Sequence, residues 1–379
     1  MFAPMAGIYI HIPFCRKACH YCNFHFSTSF KMKDGMINAI VEEAGMQSAY
    51  LKGEEVKTIY FGGGTPSALP ASDIGLILES IRHQYFTSNA IEITLEANPD
   101  DITDENVLAW KEAGVNRLSI GIQAFQDNIL HDWNRSHNAA QALTAISIVQ
   151  QSGIENITAD LIYGGPGLSD EDWISNIQCL IDSGISHISS YALTVEKGTA
   201  LFQQIVKGKS EAPDDEQGNR QYAILQHMLG VNGFMQYEVS NFAKPGFESK
   251  HNMSYWSGQH YLGLGPSAHS FNGISRQWNV GHNIKYIESI EGGQIPFEKE
   301  ELTDKQRYNE IVMIGLRTSA GIDQIRIKSL GENYVAFLEE QIKTFADKGQ
   351  VMRNEKGNWV LRPEYLFFAD GMAADLFFD

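Results

Sequence analysis

The chain has 379 residues and carries 29 Lys and Arg against 46 Asp and Glu, a formal net charge of -17. Its length exceeds what one ordinary core needs and suits a large α/β domain with a smaller second domain. So acidic a chain is a poor match for sequence-independent binding to phosphate backbones, and we expect no nucleic-acid partner.

The first residues, "MFAPMAGIYIHIPF", lack the basic start and the cleavage site of a secretory signal. No later segment runs long enough without charge to span a bilayer. Three of the 4 cysteines are clustered, a pattern that indicates metal chemistry in a reducing compartment and not a disulfide framework. We therefore expect a cytoplasmic protein without a transmembrane segment.

From residue 7 to about residue 195, short β-rich runs alternate with longer amphipathic runs, which is typical of βα units around a parallel sheet. Six strands are predicted, in the order "IYIHIP", "VKTIYFGG", "IEITLEAN", "NRLSIGIQ", "NITADLIYGG" and "HISSYALTV". They look Val- and Ile-rich over both faces, which favours a sheet covered by helices or closed into a barrel. The predicted fold is α/β, a partial (β/α)6 TIM-like barrel over residues 1–200.

Each predicted strand ends in a polar or glycine-rich group. In barrels the reactive groups sit at the C-terminal ends of the strands, so these positions predict a functional rim. In chain order they are Tyr9 with the cysteine loop that follows it, "GGGTP" at 62–66, Glu96, Gln123, Asp160 with "YGGPG", and Tyr191.

Residues 201–295 are aromatic and glycine-rich, and we expect them to extend the barrel and to close over it as a lid. From residue 296 to 379 the pattern predicts helices at 304–318 and 332–349 and a two-stranded turn at 350–363, a small winged-helix-like α+β domain. Its candidate recognition helix carries more acidic than basic residues, which favours protein contact or a lid over DNA binding.

The loop "CRKACHYC" places Cys15, Cys19 and Cys22 at the spacing Cys-x3-Cys-x2-Cys. Three thiolates cannot complete a four-cysteine site, so the fourth coordination place must be open or externally filled. An iron-sulfur cluster with one iron free of protein ligands could bind a small molecule there. A structural zinc site with a remote histidine, from among His11, His20 and His25, is the alternative.

Together, "CRKACHYC" and "GGGTP" resemble the radical S-adenosylmethionine (SAM) superfamily. That resemblance implies a [4Fe-4S] cluster on Cys15, Cys19 and Cys22, whose free iron chelates the amino and carboxylate groups of SAM. The stretches "YIHIPFC", "FGGGTPS", "LEANP", "RLSIGIQ", "DLIYGGPG" and "HNMSYW" are similar to the oxygen-independent coproporphyrinogen III oxidase group, from about residue 7 to the C-terminus.

Within that group the chain looks most like the haem-chaperone branch. The oxidases carry a further cysteine two places after the third, where this chain has Phe24, and an N-terminal extension before the first strand. "HNMSYW" at 251–256 matches the His-Asn-x-x-Tyr-Trp signature of the chaperone branch, which makes His251 the candidate haem ligand. Packing of the lid is the alternative role for His251.

The resemblance implies a haem chaperone that carries a SAM-binding [4Fe-4S] cluster and passes haem to respiratory haem proteins. The alternative is an anaerobic oxidase that converts coproporphyrinogen III to protoporphyrinogen IX. Whether the chain is an enzyme stays open at this point, as do a homodimer and peripheral contact with a membrane.

The resemblance also assigns residues to SAM. The alternative to SAM contact for Tyr9 is a structural role, as a strand tyrosine that caps the barrel. Trp133 and Asn134 precede Arg135 where the family shows Leu-Gly, and Gly165 stands where the family shows Leu, which we expect to widen the pocket slightly. The implied SAM contacts are Tyr9, Gly63, Gly64, Thr65, Glu96, Gln123, Arg135 and Asp160.

Overall fold

The computed structural model describes residues 5–378, with side chains from Ala6 onward. The strands are β1 (Met5–Ile12), β2 (Glu55–Gly63), β3 (Thr87–Ala97), β4 (Arg117–Gln123), β5 (Asn156–Tyr163), β6 (His187–Ala192), β7 (Met235–Gln236), β8 (Asn241–Ala243), β9 (His260–Leu264), β10 (His269–Phe271), β11 (Ser275–Asn279), β12 (Phe297–Glu301), β13 (Val351–Arg353) and β14 (Trp359–Leu361).

The helices are α1 (Lys33–Met46), α2 (Ala71–Gln84), α3 (Asp104–Ala113), α4 (Asp127–Asp132), α5 (Ala139–Gln151), α6 (Asp170–Asp182), α7 (Ala200–Val206), α8 (Asp215–Val231), α9 (Lys250–Trp256), α10 (Asn283–Glu291), α11 (Asp304–Leu316), α12 (Gln324–Leu330), α13 (Glu332–Gln341), α14 (Lys343–Asp347) and α15 (Ala369–Ala374). Short 3-10 turns lie at Pro66–Ala68, Pro99–Asp101 and Pro363–Phe368.

Strands β1 to β6 are parallel and neighbour one another in chain order, with helices in the connections between them. The predicted partial (β/α)6 barrel is therefore confirmed. Strand β9 adds to the free side of β1 in parallel, and β10, β11 and β12 continue that edge antiparallel. At the other edge, β8 and β7 follow β6 antiparallel.

The strands differ from the sequence expectation in one respect, because their two faces are not both apolar. Ile8, Ile10 and Ile12 of β1 are fully buried in the core between sheet and helices. On the inward face the strands carry polar side chains, which line the barrel and leave it suited to a polar ligand. These are Tyr9, His11, Thr58, Tyr60, Glu92, Thr94, Glu96, Arg117, Ser119, Thr158, Asp160, His187 and Ser189.

Several helices end where the sequence indicated. Gly114, Gly153 and Gly184 have φ of 110°, 77° and 76°, the left-handed conformation that closes a helix. The predicted helix over 332–349 is instead broken, because α13 ends at Gln341 and α14 begins at Lys343.

A buried carboxylate fixes the added edge of the sheet to the first helix. Glu43 of α1 accepts hydrogen bonds from the Gly265 amide at 2.8 Å, the Asn279 side-chain amide at 2.7 Å and the Tyr286 hydroxyl at 2.5 Å. Burial raises the pKa of Glu43, and these donors oppose the rise. With its acceptors satisfied, this side chain stabilises the position of β9 to β11 against α1.

The C-terminal part packs around a second hydrophobic cluster that begins at Tyr308 and includes α11, α13 and the hairpin of β13 with β14. The expected boundary at residue 296 falls just before β12, whose pairing with β11 keeps 297–301 with the large sheet. No helix within residues 5–378 is long and apolar enough to cross a membrane.

Candidate functional site

The cysteine loop leaves the C-terminal end of β1 and is held by backbone hydrogen bonds. The Cys15 amide donates to Ser27 O at 3.0 Å, and the Ser27 amide donates to Pro13 O at 2.9 Å. Farther along, the His20 amide donates to Trp133 O at 3.1 Å. The first two bonds thus close the base of the loop, and the third ties the segment between Cys19 and Cys22 to Trp133.

The three thiols share one electrostatic environment. Burial raises the pKa of Cys15 to about 11. The Thr65 hydroxyl and the Arg135 guanidinium favour the thiolate and so oppose this rise. Burial also raises the pKa of Cys22. Arg135 Nη1 donates to Cys19 Sγ at 3.3 Å. Cys15 and Cys22 are therefore neutral without a metal, and metal binding would have to release their protons.

The three histidines of the zinc alternative each bond a protein oxygen through a ring nitrogen, as metal-binding histidines also do. His11 Nε2 bonds His25 O at 2.8 Å, and His25 Nε2 bonds Asn283 Oδ1 at 2.6 Å. His20 Nδ1 bonds Asp132 O at 2.8 Å. Within residues 5–378, no three His, Cys, Asp or Glu side chains converge as a site for a single metal ion would require. A cluster binds each thiolate through a different iron and so spaces its ligands more widely.

Gly63 and Gly64 lie where β2 passes closest to the end of β1. Gly63 has φ of 101°, and a Cβ there would lie 2.5 Å from the His11 ring. A Cβ on Gly64 would lie 2.7 Å from the carbonyl oxygens of Ile12 and Phe14. Tight packing accordingly requires both glycines, and the same packing places Thr65 beside Cys15.

Glu96 lies next to the last residue of β3, inside the barrel, and two residues of the neighbouring strand β2 bond its carboxyl group. The Tyr60 hydroxyl donates to Glu96 Oε1 at 2.8 Å, and the Gly63 backbone also bonds this carboxyl. Burial raises the pKa of Glu96 to about 7, and nearby Asp160 adds to the rise. Tyr9 stacks on Tyr60 with ring centroids 6.2 Å apart.

Gln123 and Arg135 meet over Gly121. A register shift between Gly121 and Gln123 marks a bulge, and Gln123 has φ of 71°, a strained value for this residue. A Cβ on Gly121 would lie 3.1 Å from Gln123 Nε2 and 3.3 Å from Arg135 Nη2. Arg135 Nη2 donates to Gly121 O at 2.6 Å and to Asn98 Oδ1 at 2.9 Å. The Gln123 amide and the Arg135 guanidinium thus both lie beside Gly121, at the bulge.

Asp160 lies deeper, on β5. Its two oxygens accept from the Ser119 hydroxyl at 3.2 Å each. Burial raises the pKa of Asp160 to about 6, while the Ser119 bond and the Arg117 charge lower it. Of the residues that the resemblance assigns to SAM, Glu96, Arg135 and Asp160 are thus held by side-chain hydrogen bonds, and Tyr9 packs on Tyr60.

His251 lies on α9 inside the barrel, and its side chain is engaged on all sides. Its Nδ1 bonds Thr58 Oγ1 at 2.8 Å, and its Nε2 bonds the Tyr255 hydroxyl at 2.9 Å. Its ring stacks on Tyr60 with centroids 5.0 Å apart, and the residue is 1% exposed. Burial lowers the pKa of His251 to about 3, and Arg117 acts in the same direction, so the imidazole is neutral.

Two contributors were missed by sequence reasoning. Tyr60 binds Glu96, and Asn98 binds Arg135. A signal for Tyr60 existed, since it stands two residues before Gly62 and so shares the inward face of β2 with it. Gly165, in contrast, does not widen the pocket, because the Trp133 ring occupies the space beside it.

Comparison with known proteins places this site in a family. Residues 9–180 match the model of the radical SAM superfamily. "Heme chaperone HemW" of Bacillus subtilis (strain 168) is 35% identical over 355 residues, which are 93% of this chain and 94% of that protein. This chain belongs to the HemW family of radical SAM proteins. A mitochondrial relative from Mus musculus, "Radical S-adenosyl methionine domain-containing protein 1", is 37% identical over 84% of this chain and 74% of its own length.

The fold has a counterpart of known structure. Coproporphyrinogen III oxidase (HemN) from Escherichia coli superposes with a TM-score of 0.83, covering 99% of this chain and 90% of that chain. The sequence identity is 19%, so the likeness extends to the fold alone.

Membership of the radical SAM superfamily implies a [4Fe-4S] cluster and SAM, and the residues present fit both groups. Three thiols supply a soft donor set with one iron position left free. Arg135 Nε is buried and has no hydrogen-bond partner among residues 5–378, so the guanidinium has capacity to bind a carboxylate.

Proposed function

We propose that this protein is a cytoplasmic haem chaperone with a SAM-binding [4Fe-4S] cluster on Cys15, Cys19 and Cys22. It binds haem and passes it to respiratory haem proteins. When bound, the cluster would supply an iron that chelates the amino and carboxylate groups of SAM. Kinship to "Heme chaperone HemW" over 93% of the chain supports the haem part of the proposal.

The chain's own residues would serve SAM in distinct ways. Glu96, as a carboxylate, would pair with the cationic amino group, and Arg135 would bind the carboxylate. Gln123 and Asp160 would accept or donate hydrogen bonds to the ribose hydroxyls. The inward face of β2, with Gly63 and Gly64, would admit the methionyl moiety close to the backbone.

The residue at position 24 is the main reason to propose a chaperone and not an oxidase. The oxidase resemblance calls for a cysteine there, and this chain presents Phe24, which is 66% exposed beside the cluster loop. An exposed aromatic ring suits the face of a porphyrin better than the carboxylates at its edge.

His251 remains the proposed haem ligand, with a condition set by its surroundings. Iron needs a free ring nitrogen, yet both nitrogens bond Thr58 and Tyr255 in the barrel interior. Haem ligation by His251 therefore requires α9 to shift outward, at the expense of these bonds.

The proposal is tested in an anaerobic incubation of cluster-loaded protein with reductant, SAM and coproporphyrinogen III. We expect the porphyrinogen to stay intact while the same preparation binds haem and delivers it to an apo-cytochrome. Protoporphyrinogen formed over many turnovers would instead make the protein an oxidase. A Phe24→Cys variant, assayed in parallel, shows whether position 24 decides the outcome.

A further inference from the structure

Tyr60 contacts both α9, the helix that carries "HNMSYW", and the proposed SAM pocket. Its ring lies against the His251 imidazole with centroids 5.0 Å apart and an interplanar angle of 25°. Its hydroxyl donates to Glu96 Oε1 at 2.8 Å. One side chain of β2 thus joins the residue proposed for haem iron to the residue proposed for the SAM amino group.

We infer that Tyr60 is a positioning residue through which haem and SAM weaken each other's binding. With His251 inside the barrel, Tyr60 is held on one face and fixes the Glu96 carboxyl toward the SAM pocket. When His251 moves out to haem iron, Tyr60 loses that neighbour and Glu96 loses its fixed orientation. The inference rests on the proposed function, and it adds a regulatory link between the two ligands.

The contacts define two states that the ligands would distinguish. In the inward state His251 bonds Thr58 and Tyr255 and stacks on Tyr60. In the outward state iron replaces at least one of those bonds, and the stack is broken. A ligand that binds one state more tightly shifts the protein toward that state and so weakens the binding of a ligand that prefers the other. The factor by which haem weakens SAM binding equals the factor by which SAM weakens haem binding.

Tyr60 has few ways to hold its position without His251. Among the side chains from Ala6 to Phe378, its other aromatic neighbour is Tyr9, at a longer centroid distance of 6.2 Å. Glu96 in turn is bonded by the Tyr60 hydroxyl and by the Gly63 backbone. If Tyr60 is no longer held in place, the bond from Gly63 stays unchanged. We therefore expect weaker SAM binding and not its loss.

The first experiment measures the dissociation constant of SAM for cluster-loaded protein by anaerobic equilibrium dialysis, with and without one equivalent of haem. Haem should weaken SAM binding about fivefold or more in the wild type. In Tyr60→Phe, which keeps the ring and removes the bond to Glu96, the ratio should fall to about one. Tyr308→Phe, in the C-terminal cluster, serves as matched control and should keep the wild-type ratio.

Two outcomes would overturn the inference. One is a wild-type SAM affinity that haem does not change. The other is a haem effect of equal size in Tyr60→Phe, which would mean that haem and SAM compete directly for space. Both leave the proposed haem function standing if haem is bound and delivered.

A second experiment works without haem. A double-mutant cycle compares the SAM affinities of His251→Ala, Tyr60→Phe and the combined variant. His251→Ala should weaken SAM binding in the wild-type background and have little further effect once Tyr60 is Phe. Additive effects would contradict the link. If the protein takes up no haem, the proposed function fails, and this cycle alone decides the role of Tyr60.

Discussion

Trp133 and Gly165 fill one space between them. A Cβ on Gly165 would lie 2.6 Å from Trp133 Cζ2, so the indole occupies the volume that a side chain at 165 would need. Both positions depart from the residues usual in the related oxidase group. The two departures fit each other, because the large Trp133 side chain fills the space left by the missing side chain of Gly165. The Trp133 carbonyl oxygen also accepts a hydrogen bond from the His20 amide of the cysteine loop, so this packing supports the loop.

That pairing predicts a compensating double variant. Gly165→Leu alone should destabilise the protein by about 1–3 kcal/mol through overpacking. Trp133→Leu alone should cost about 2–4 kcal/mol through the cavity it leaves. The combined variant should lose clearly less than the sum, as measured by denaturant unfolding. Strict additivity would show that the two side chains do not compete for this space.

Cluster assembly should depend on Cys15 and not on Cys179. After anaerobic reconstitution, Cys15→Ser should retain little iron and sulfide and should lack the broad visible absorbance of a cluster, because a ligand thiolate is gone. Cys179 lies half-buried on α6, so Cys179→Ser is the matched control and should load like the wild type. Equal loading of the two variants would exclude Cys15 as a ligand.

SAM binding should strengthen as pH rises toward neutrality because of Glu96. Burial raises the pKa of this carboxyl to about 7, and only its ionised form attracts the cationic amino group. Between pH 6 and pH 8 the advantage of the wild type over Glu96→Gln in SAM affinity should therefore grow about tenfold. Comparison with the variant cancels the titration of SAM itself. A constant ratio across this range would remove Glu96 from SAM recognition.

Glu238 should make the fold less stable as pH rises. Burial raises the pKa of this carboxyl from 4.5 to about 7, although bonds from the Ser240 amide and the Asn241 side chain oppose the rise. The folded state thus holds the proton more tightly than the unfolded chain. The resulting stability is complete below about pH 4.5 and is lost as pH passes through about 7.

Glu238→Gln should remove that dependence. The variant should match the wild type near pH 5 and exceed it at pH 8 and above by up to about 3 kcal/mol, in urea unfolding at each pH. Glu298→Gln, at an exposed position of strand β12, is the control and should leave the wild-type profile unchanged. A flat wild-type profile would contradict the raised pKa of Glu238.

The rim was predictable from the sequence because it follows from chain direction. Parallel strands end at one edge of the barrel, so Glu96, Gln123 and Asp160 could be grouped from their positions in the chain alone. Arg135 lies outside the strands, after α4, and its place depended on the resemblance. A pattern of residue types indicates which face a side chain occupies, but not what reaches it from another element.

That limit explains what was missed. The spacing from Gly62 puts Tyr60 on the inward face of β2, but the sequence does not show that Glu96 of β3 and His251 of α9 lie beside it. The burial of His251 was equally hidden, since a short helix in a glycine-rich stretch has no fixed place by itself. The break after Gln341 lacks a proline or glycine to announce it, so packing of the second cluster decides it.

The position of β1 has a consequence for the order of biosynthesis. The strand that carries the cysteine loop pairs with β9, which is made roughly 250 residues later, and the loop residue His25 bonds Asn283 beyond that. Contacts this distant in sequence cannot form before both partners have been made. The cysteine loop therefore reaches its final packing only after β9 and Asn283 have been synthesised.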